Sequence, residues 1–230
     1  MPELKDKLIV ALDVPDLKEG RRLADILYPT VKIFKVGLQL FTAAGPEAVE
    51  YLHKKGAEVF LDLKYLDIPN TVANAVSAAA RLKVKMLTLH IQGGEEMLKA
   101  AVRSAKDEAL RLKIKPLDLI GVTVLTSQEA SPEEVLRLAR LGLDCGLQGV
   151  VASVKEAALL KKSIKKDFIV VTPGIRLPSA QKVDQKSVAT PEEAMKVGSD
   201  FLVVGRSIVQ AADPLAAAKE ILTTGGMSHG

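Results

Sequence analysis

The chain has 230 residues and a mass of 24.6 kDa, enough for one sizeable core and tight for two. A hydrophobic content of 48% excludes disorder, and apolar runs that stop at about five residues, such as Leu8 to Leu12, exclude a membrane span. Basic side chains number 32 against 28 acidic ones, a net charge of +4 that suits an anionic ligand, while the lack of Trp and 3% aromatics argue against nucleic acid. The polar opening from Met1 to Lys7 carries no leader pattern, so a cytoplasmic protein is expected. A single cysteine, Cys145, excludes an internal disulfide framework and reads as a small buried hydrophobe.

Taken in chain order, short β-rich runs alternate with Ala- and Leu-rich amphipathic stretches. Strands are predicted over Lys7–Asp13, Ile33–Gly37 and Glu58–Lys64, followed by a helix over Ile68–Leu82. A strand over Met86–His90 precedes a helix over Glu95–Arg111, and one over Leu119–Leu125 precedes a helix over Pro132–Leu141. The remaining strands cover Gly149–Ser153, Phe168–Thr172 and Phe201–Gly205, with a helix over Pro191–Val197 before the last. These strands are near-continuously apolar, as strands buried on both faces are. Gly56, Gly146 and Gly198 stand where helices hand over to strands.

Eight strand–helix units predict a single-domain α/β fold, a (β/α)8 barrel spanning residues 1–230, with a frayed tail from about residue 223. A doubly wound open sheet is the alternative. Against it, the first turn, Leu12-Asp13-Val14-Pro15-Asp16, lacks the glycine-rich phosphate fingerprint of such sheets.

Barrel enzymes place their chemistry at the C-terminal strand ends. Asp13, Lys35, Asp62 and Lys64 fall there, with Asp67 in the turn that follows. Each alone could be a salt-bridged strand end. Together they form an acid–base array suited to proton transfer and charge stabilisation, and the period of two puts Asp62 and Lys64 on one face. Gly205 and Arg206 after the last strand offer an amide and a guanidinium fork to a phosphate. The polar stretch from Thr172 through Arg176 to about Thr190 is long for a compact domain and reads as a flap over a ligand.

The run Asp62-Leu63-Lys64-Tyr65-Leu66-Asp67-Ile68-Pro69-Asn70-Thr71 resembles the signature of the orotidine 5′-phosphate decarboxylase family, bacterial type. Val10-Ala11-Leu12-Asp13, Lys35-Val36-Gly37, Val122 to Ser127, Thr172-Pro173-Gly174-Ile175-Arg176 and Val204-Gly205-Arg206 match it in the same order, roughly from residue 7 to 220. The resemblance implies decarboxylation of orotidine 5′-monophosphate to uridine 5′-monophosphate in pyrimidine synthesis, with no metal and no cofactor. It makes Lys64 the proton donor at C6, sets Asp62 near the departing carboxylate, and joins Lys35 and Asp67 to them as the catalytic array. It implies a homodimer in which Asp67 enters the partner's site.

The same resemblance gives Asp13, Lys35, Asp67 and Thr71 to the ribose, within a binding run that includes Asp62, Ile68, Pro69 and Asn70. Thr126 and Ser127 lie beside the pyrimidine, and Gln185, Gly205 and Arg206 hold the phosphate, with Arg176 a further member of the set. One departure stands out: where the family usually has Asp-Gln-x-Arg, this chain has Asp184-Gln185-Lys186-Ser187, which alters how the loop is braced.

Two other readings compete. Sister enzymes on the same barrel, hexulose-phosphate synthase and keto-gulonate-phosphate decarboxylase, share Asp-x-Lys-x-x-Asp but hold an enediolate on a divalent metal. A non-catalytic nucleotide-binding barrel is the second, disfavoured by the intact charged array. Of the histidines, His53 and His229 read as solvated. His90, ending the fourth strand, reads as a satisfied structural residue, or else lines the site.

Overall fold

The computed structural model describes residues 4–125, 128, 130–176 and 189–224. Eight parallel strands close in the order β1 to β8, the (β/α)8 architecture expected. They are β1 (Leu8–Ala11), β2 (Ile33–Gly37), β3 (Glu58–Tyr65), β4 (Met86–His90), β5 (Asp118–Val122), β6 (Gly149–Val151), β7 (Ile169–Thr172) and β8 (Phe201–Val204). The helices are α1 (Leu17–Leu27), α2 (Leu38–Ala44), α3 (Pro46–Lys54), α4 (Pro69–Arg81) and α5 (Gly94–Leu112). They continue with α6 (Pro132–Asp144), α7 (Val154–Ser163), α8 (Pro191–Lys196), α9 (Arg206–Val209) and α10 (Pro214–Thr224).

The chain forms two compact units. One comprises the residues through Phe60 and those from Thr172 onward; the other is Leu61–Val171. In the first, β1 pairs with β2 (Ala11 opposite Lys35) and with β8 (Val10 opposite Val204), and every residue of β1 is buried. In the second, β4 pairs with β5 (His90 opposite Val122), and β5 with β6. Strands this short hold because both faces are covered, so Leu, Ile and Val run without polar alternation.

Three of the predicted helix-closing glycines do the same job. Gly56, Gly146 and Gly198 adopt φ of 86°, 99° and 93°. Around each, two bonds reach back into the helix, as in Ala57 N to Leu52 O at 3.0 Å and Gly56 N to His53 O at 2.9 Å. That is the Schellman arrangement, and it turns the chain sharply from helix to strand. Helix starts are fixed by side chains: Ser153 with Glu156, and Thr190 with Glu193, form reciprocal capping boxes.

Several strands end earlier than the sequence predicts. β1 stops at Ala11, β5 at Val122, β6 at Val151 and β8 at Val204. The apolar run continues past the ladder because the next residues turn to begin a loop or cap a helix; Ser153 caps α7 and Gly205 caps α9. Conversely, Thr223 and Thr224 are the last turn of α10 rather than frayed tail, their hydroxyls donating to the carbonyls of Lys219 and Glu220.

Within the second unit one side chain fills two gaps. Ile91, fully buried just after β4, lies where a Cβ on Gly121 (2.6 Å) or on Gly142 (2.8 Å) would have to be. Leu147 Cδ1 crowds the same two positions at 2.7 and 3.1 Å. β5 and α6 can therefore close on Ile91 only with glycine at both places.

Candidate active site

In each unit the described residues include an ion pair at the C-terminal strand ends. In the first, Lys35 on β2 donates to Asp13 Oδ1 at 2.9 Å, with 10% of the lysine side chain exposed against 54% of the carboxylate. A lysine this deep in an apolar strand is costly unless paired, and here a carboxylate faces it. Asp13 lies beyond the end of β1, in the loop, rather than in the strand as expected. Gly37 closes over the pair: a Cβ there would stand 2.8 Å from Lys35 Nζ and 3.0 Å from Asp13 Oδ1. A Cβ on Gly205 would lie 3.9 Å from Asp13 Oδ2, so the glycine before α9 borders the same carboxylate.

In the second unit, Lys64 Nζ donates to Asp62 Oδ1 at 2.8 Å, as their shared face predicts. Lys64 has φ of 51°, left-handed backbone that costs a non-glycine residue of order 1–3 kcal/mol and persists only where its surroundings enforce it. The enforcing group is Thr88 of β4, fully buried. Its Oγ1 accepts from Lys64 N at 2.9 Å and donates to Asp62 Oδ1 at 2.9 Å. Sequence reasoning passed over Thr88; the available signal was a hydroxyl in the apolar run Met86-Leu87-Thr88-Leu89, two positions before His90.

His90 is not the satisfied structural residue expected. Its Nδ1 is buried and has no hydrogen-bond partner among the described residues. Burial holds its pKa below the ordinary value, Lys64 pushes it lower, and Asp62 pulls the other way. The ring thus lies within electrostatic reach of the charge pair. His53 also departs from expectation: half-buried, its Nδ1 meets Ala57 O at 3.2 Å. Cys145 is buried as predicted, and burial raises its thiol pKa.

The other predicted residues divide into two groups. Asp67, Ile68, Asn70 and Thr71 are exposed at the start of α4, and Pro69 is half-buried beside them. Asp67 Oδ1 accepts from Ile68 N at 2.7 Å, and Leu66 and Ile68 are 52% and 67% exposed. Arg206 opens α9 and is exposed. Arg176 N donates to Ala189 O at 3.1 Å, beside a bridge between Ile175 and Ala189. Thr126, Ser127, Gln185, Lys186, Ser187 and His229 lie outside the described residues. Among the described residues, no three or more His, Cys, Asp or Glu side chains gather as a metal site, and no helix is long and apolar enough to cross a membrane.

A closed parallel barrel with lysine–aspartate pairs at its C-terminal strand ends defines the class of (β/α)8-barrel enzymes. The model of the orotidine 5′-phosphate decarboxylase / HUMPS family matches residues 6–221. The chain belongs to that family, and is accordingly a carboxy-lyase. It is 46% identical to the orotidine 5′-phosphate decarboxylase of Moorella thermoacetica, over 94% of this chain and 91% of that one. It is 48% identical to the enzyme of the same name from Hydrogenovibrio crunogenus, over 94% of each. Among solved structures, orotidine 5′-phosphate decarboxylase from Lactobacillus acidophilus superposes with a TM-score of 0.84 at 35% identity, covering 95% of this chain and 98% of that one.

Proposed function

We propose that the chain converts orotidine 5′-monophosphate to uridine 5′-monophosphate and CO2 in pyrimidine biosynthesis, using neither metal nor organic cofactor. Family membership supports the decarboxylation and the pathway. The observation that carries the finer reading is the Asp62–Lys64 pair, 2.8 Å apart and pinned by a buried hydroxyl.

Decarboxylation breaks the bond between C6 and its carboxylate carbon, and the electron pair stays on C6. With no sink, the barrier is very large, and enzymes lower such barriers by up to about 23 kcal/mol in ordinary cases. Lys64 supplies the proton: its N–H bond breaks as C6–H forms, CO2 leaves, and the neutral amine regains a proton from solvent. Its ammonium stabilises developing negative charge more than the ground state requires, which is what selective catalysis demands. Asp62 holds the ammonium in place and crowds the substrate carboxylate. Lys35, Asp13 and Thr71, with the partner's Asp67, take the ribose hydroxyls. Ile68, Pro69 and Asn70 complete that edge, and Thr126 and Ser127 flank the base. Arg206, Gly205 and Gln185 bind the phosphate, whose remote binding energy closes the site, and Arg176 is a further member of the binding set.

The working form in this reading is a cytoplasmic homodimer. The exposed Leu66 and Ile68 beside Asp67 support it, as apolar groups suited to burial against a second copy. The test is the ultraviolet absorbance change on adding orotidine 5′-monophosphate, with and without chelator. Equal turnover in both is expected. Turnover abolished by chelator, or found only with sugar phosphates, assigns the chain to the metal-dependent branch instead.

A further inference from the structure

We propose that Thr88 is a positioning residue for the reaction, setting both the backbone of Lys64 and the carboxylate of Asp62 through one hydroxyl. The proposal rests on the reading of Lys64 as proton donor. Thr88 lies in mid-strand between Leu87 and Leu89, all three wholly buried. Valine matches threonine in shape and suits such a strand better, so packing gives no reason for the hydroxyl. What the hydroxyl does is bond twice: O–H to Asp62 Oδ1, and lone pair to Lys64 N, each at 2.9 Å.

The two bonds act on consecutive links of one chain. Lys64 turns into left-handed backbone, φ of 51°, and its amide points to a side chain where a strand neighbour's carbonyl is the usual acceptor. From that same residue Nζ reaches Asp62, two residues earlier. The same Oγ1 then fixes the oxygen that receives Nζ. Oδ1 of Asp62 thus accepts from Thr88 and from Lys64, and its position follows from the hydroxyl's. Without the hydroxyl the carboxylate loses a donor and the lysine amide loses its acceptor, while both charges remain.

Thr88→Val and Thr88→Ser separate this role from packing. With Thr88→Val, kcat is expected to fall about tenfold to hundredfold, with uridine 5′-monophosphate binding within about threefold of wild type. A lost hydrogen bond to its ionised form raises the pKa of Asp62, so the acid limb of the kcat profile moves to higher pH. Thr88→Ser keeps the hydroxyl and restores kcat to within about threefold and the limb to its place. Wild-type kcat in Thr88→Val overturns the proposal, as do equal losses in both variants or an unmoved acid limb. If circular dichroism shows that Thr88→Val does not fold, Thr88→Cys, with its feeble donor, replaces it under the same expectations. Lys64→Ala is measured alongside. If Lys64→Ala is dead and Thr88→Val fully active, only the positioning role fails; if Lys64→Ala turns over normally, the proton-donor reading itself falls.

Discussion

Lys35 Nζ and Asp13 Oδ1 meet at 2.9 Å directly beneath the one residue of β2 that carries no side chain, Gly37. A methyl group there would press on the ammonium at 2.8 Å, and the flexible end of a lysine moves more easily than the backbone. Gly37→Ala should therefore fold with a thermal midpoint close to wild type, yet raise KM about tenfold by displacing the pair proposed to bind the ribose. Calorimetry together with steady-state kinetics checks it. A large drop in midpoint with unchanged KM would mean that Gly37 serves packing alone.

Replacing Lys64, the proposed proton donor, should silence chemistry and leave binding. Lys64→Ala is expected to lose several orders of magnitude in kcat while still binding uridine 5′-monophosphate, measured by isothermal titration. The same variant removes a positive charge from the surroundings of His90, so the His90 pKa should rise. Asp62→Asn should lower it further. Nuclear magnetic resonance titration of the His90 ring reads both signs, and shifts in the same direction would contradict the charge arrangement.

His90 also predicts how stability depends on pH. Its folded pKa lies below the ordinary 6.5, so the unfolded chain takes up a proton first as pH falls. The contribution is complete above 6.5 and is lost as pH drops from there to the depressed folded value. His90→Gln should flatten that part of the denaturation-midpoint profile. A wild-type slope in the variant would assign the effect elsewhere.

Arg206 tests the phosphate anchor. Arg206→Ala should raise KM for the phosphorylated substrate about tenfold to hundredfold, the worth of one or two charged hydrogen bonds. The slow reaction of orotidine, which lacks the phosphate, should barely change. Equal losses on both substrates would make Arg206 a structural residue.

Asp67 tests the shared site. Lys64→Ala and Asp67→Ala proteins should each be nearly inactive. Unfolded, mixed and refolded together, about half the dimers are mixed, and one of the two sites in each is intact, so activity should return to about one quarter of wild type. If Asp67 serves its own subunit, every site stays broken and no activity returns.

Much of this was legible in the sequence because barrel strands are monotonous. Buried on both faces, they print as apolar runs, and a charge inside one is conspicuous, as with Lys35 and with Asp62 and Lys64. Helix ends were legible at Gly56, Gly146 and Gly198, where the required backbone selects one residue type. Strand ends were not, since hydrophobicity does not register the point at which Ser153 or Gly205 leaves the ladder to cap a helix. Nor was Thr88, because a single hydroxyl in a strand reads as ordinary β-branched filling until its two partners are seen.

Ile91 carries a consequence for how this sequence can drift. Two glycines far apart in the chain, Gly121 and Gly142, are held by one isoleucine whose tip occupies the space of both missing methyl groups. Alanine at either place meets that tip, and the overpacking is expected to cost about 1–3 kcal/mol. Shortening Ile91 alone opens neither place, because Leu147 Cδ1 still stands 2.7 and 3.1 Å from the same two positions; both side chains must give way. Ile91, Leu147, Gly121 and Gly142 are thus historically coupled: each change is harmful or neutral according to which came before it. Because Ile91 directly follows His90, the order of such changes also bears on whether the end of β4 keeps its place near Lys64 and Asp62.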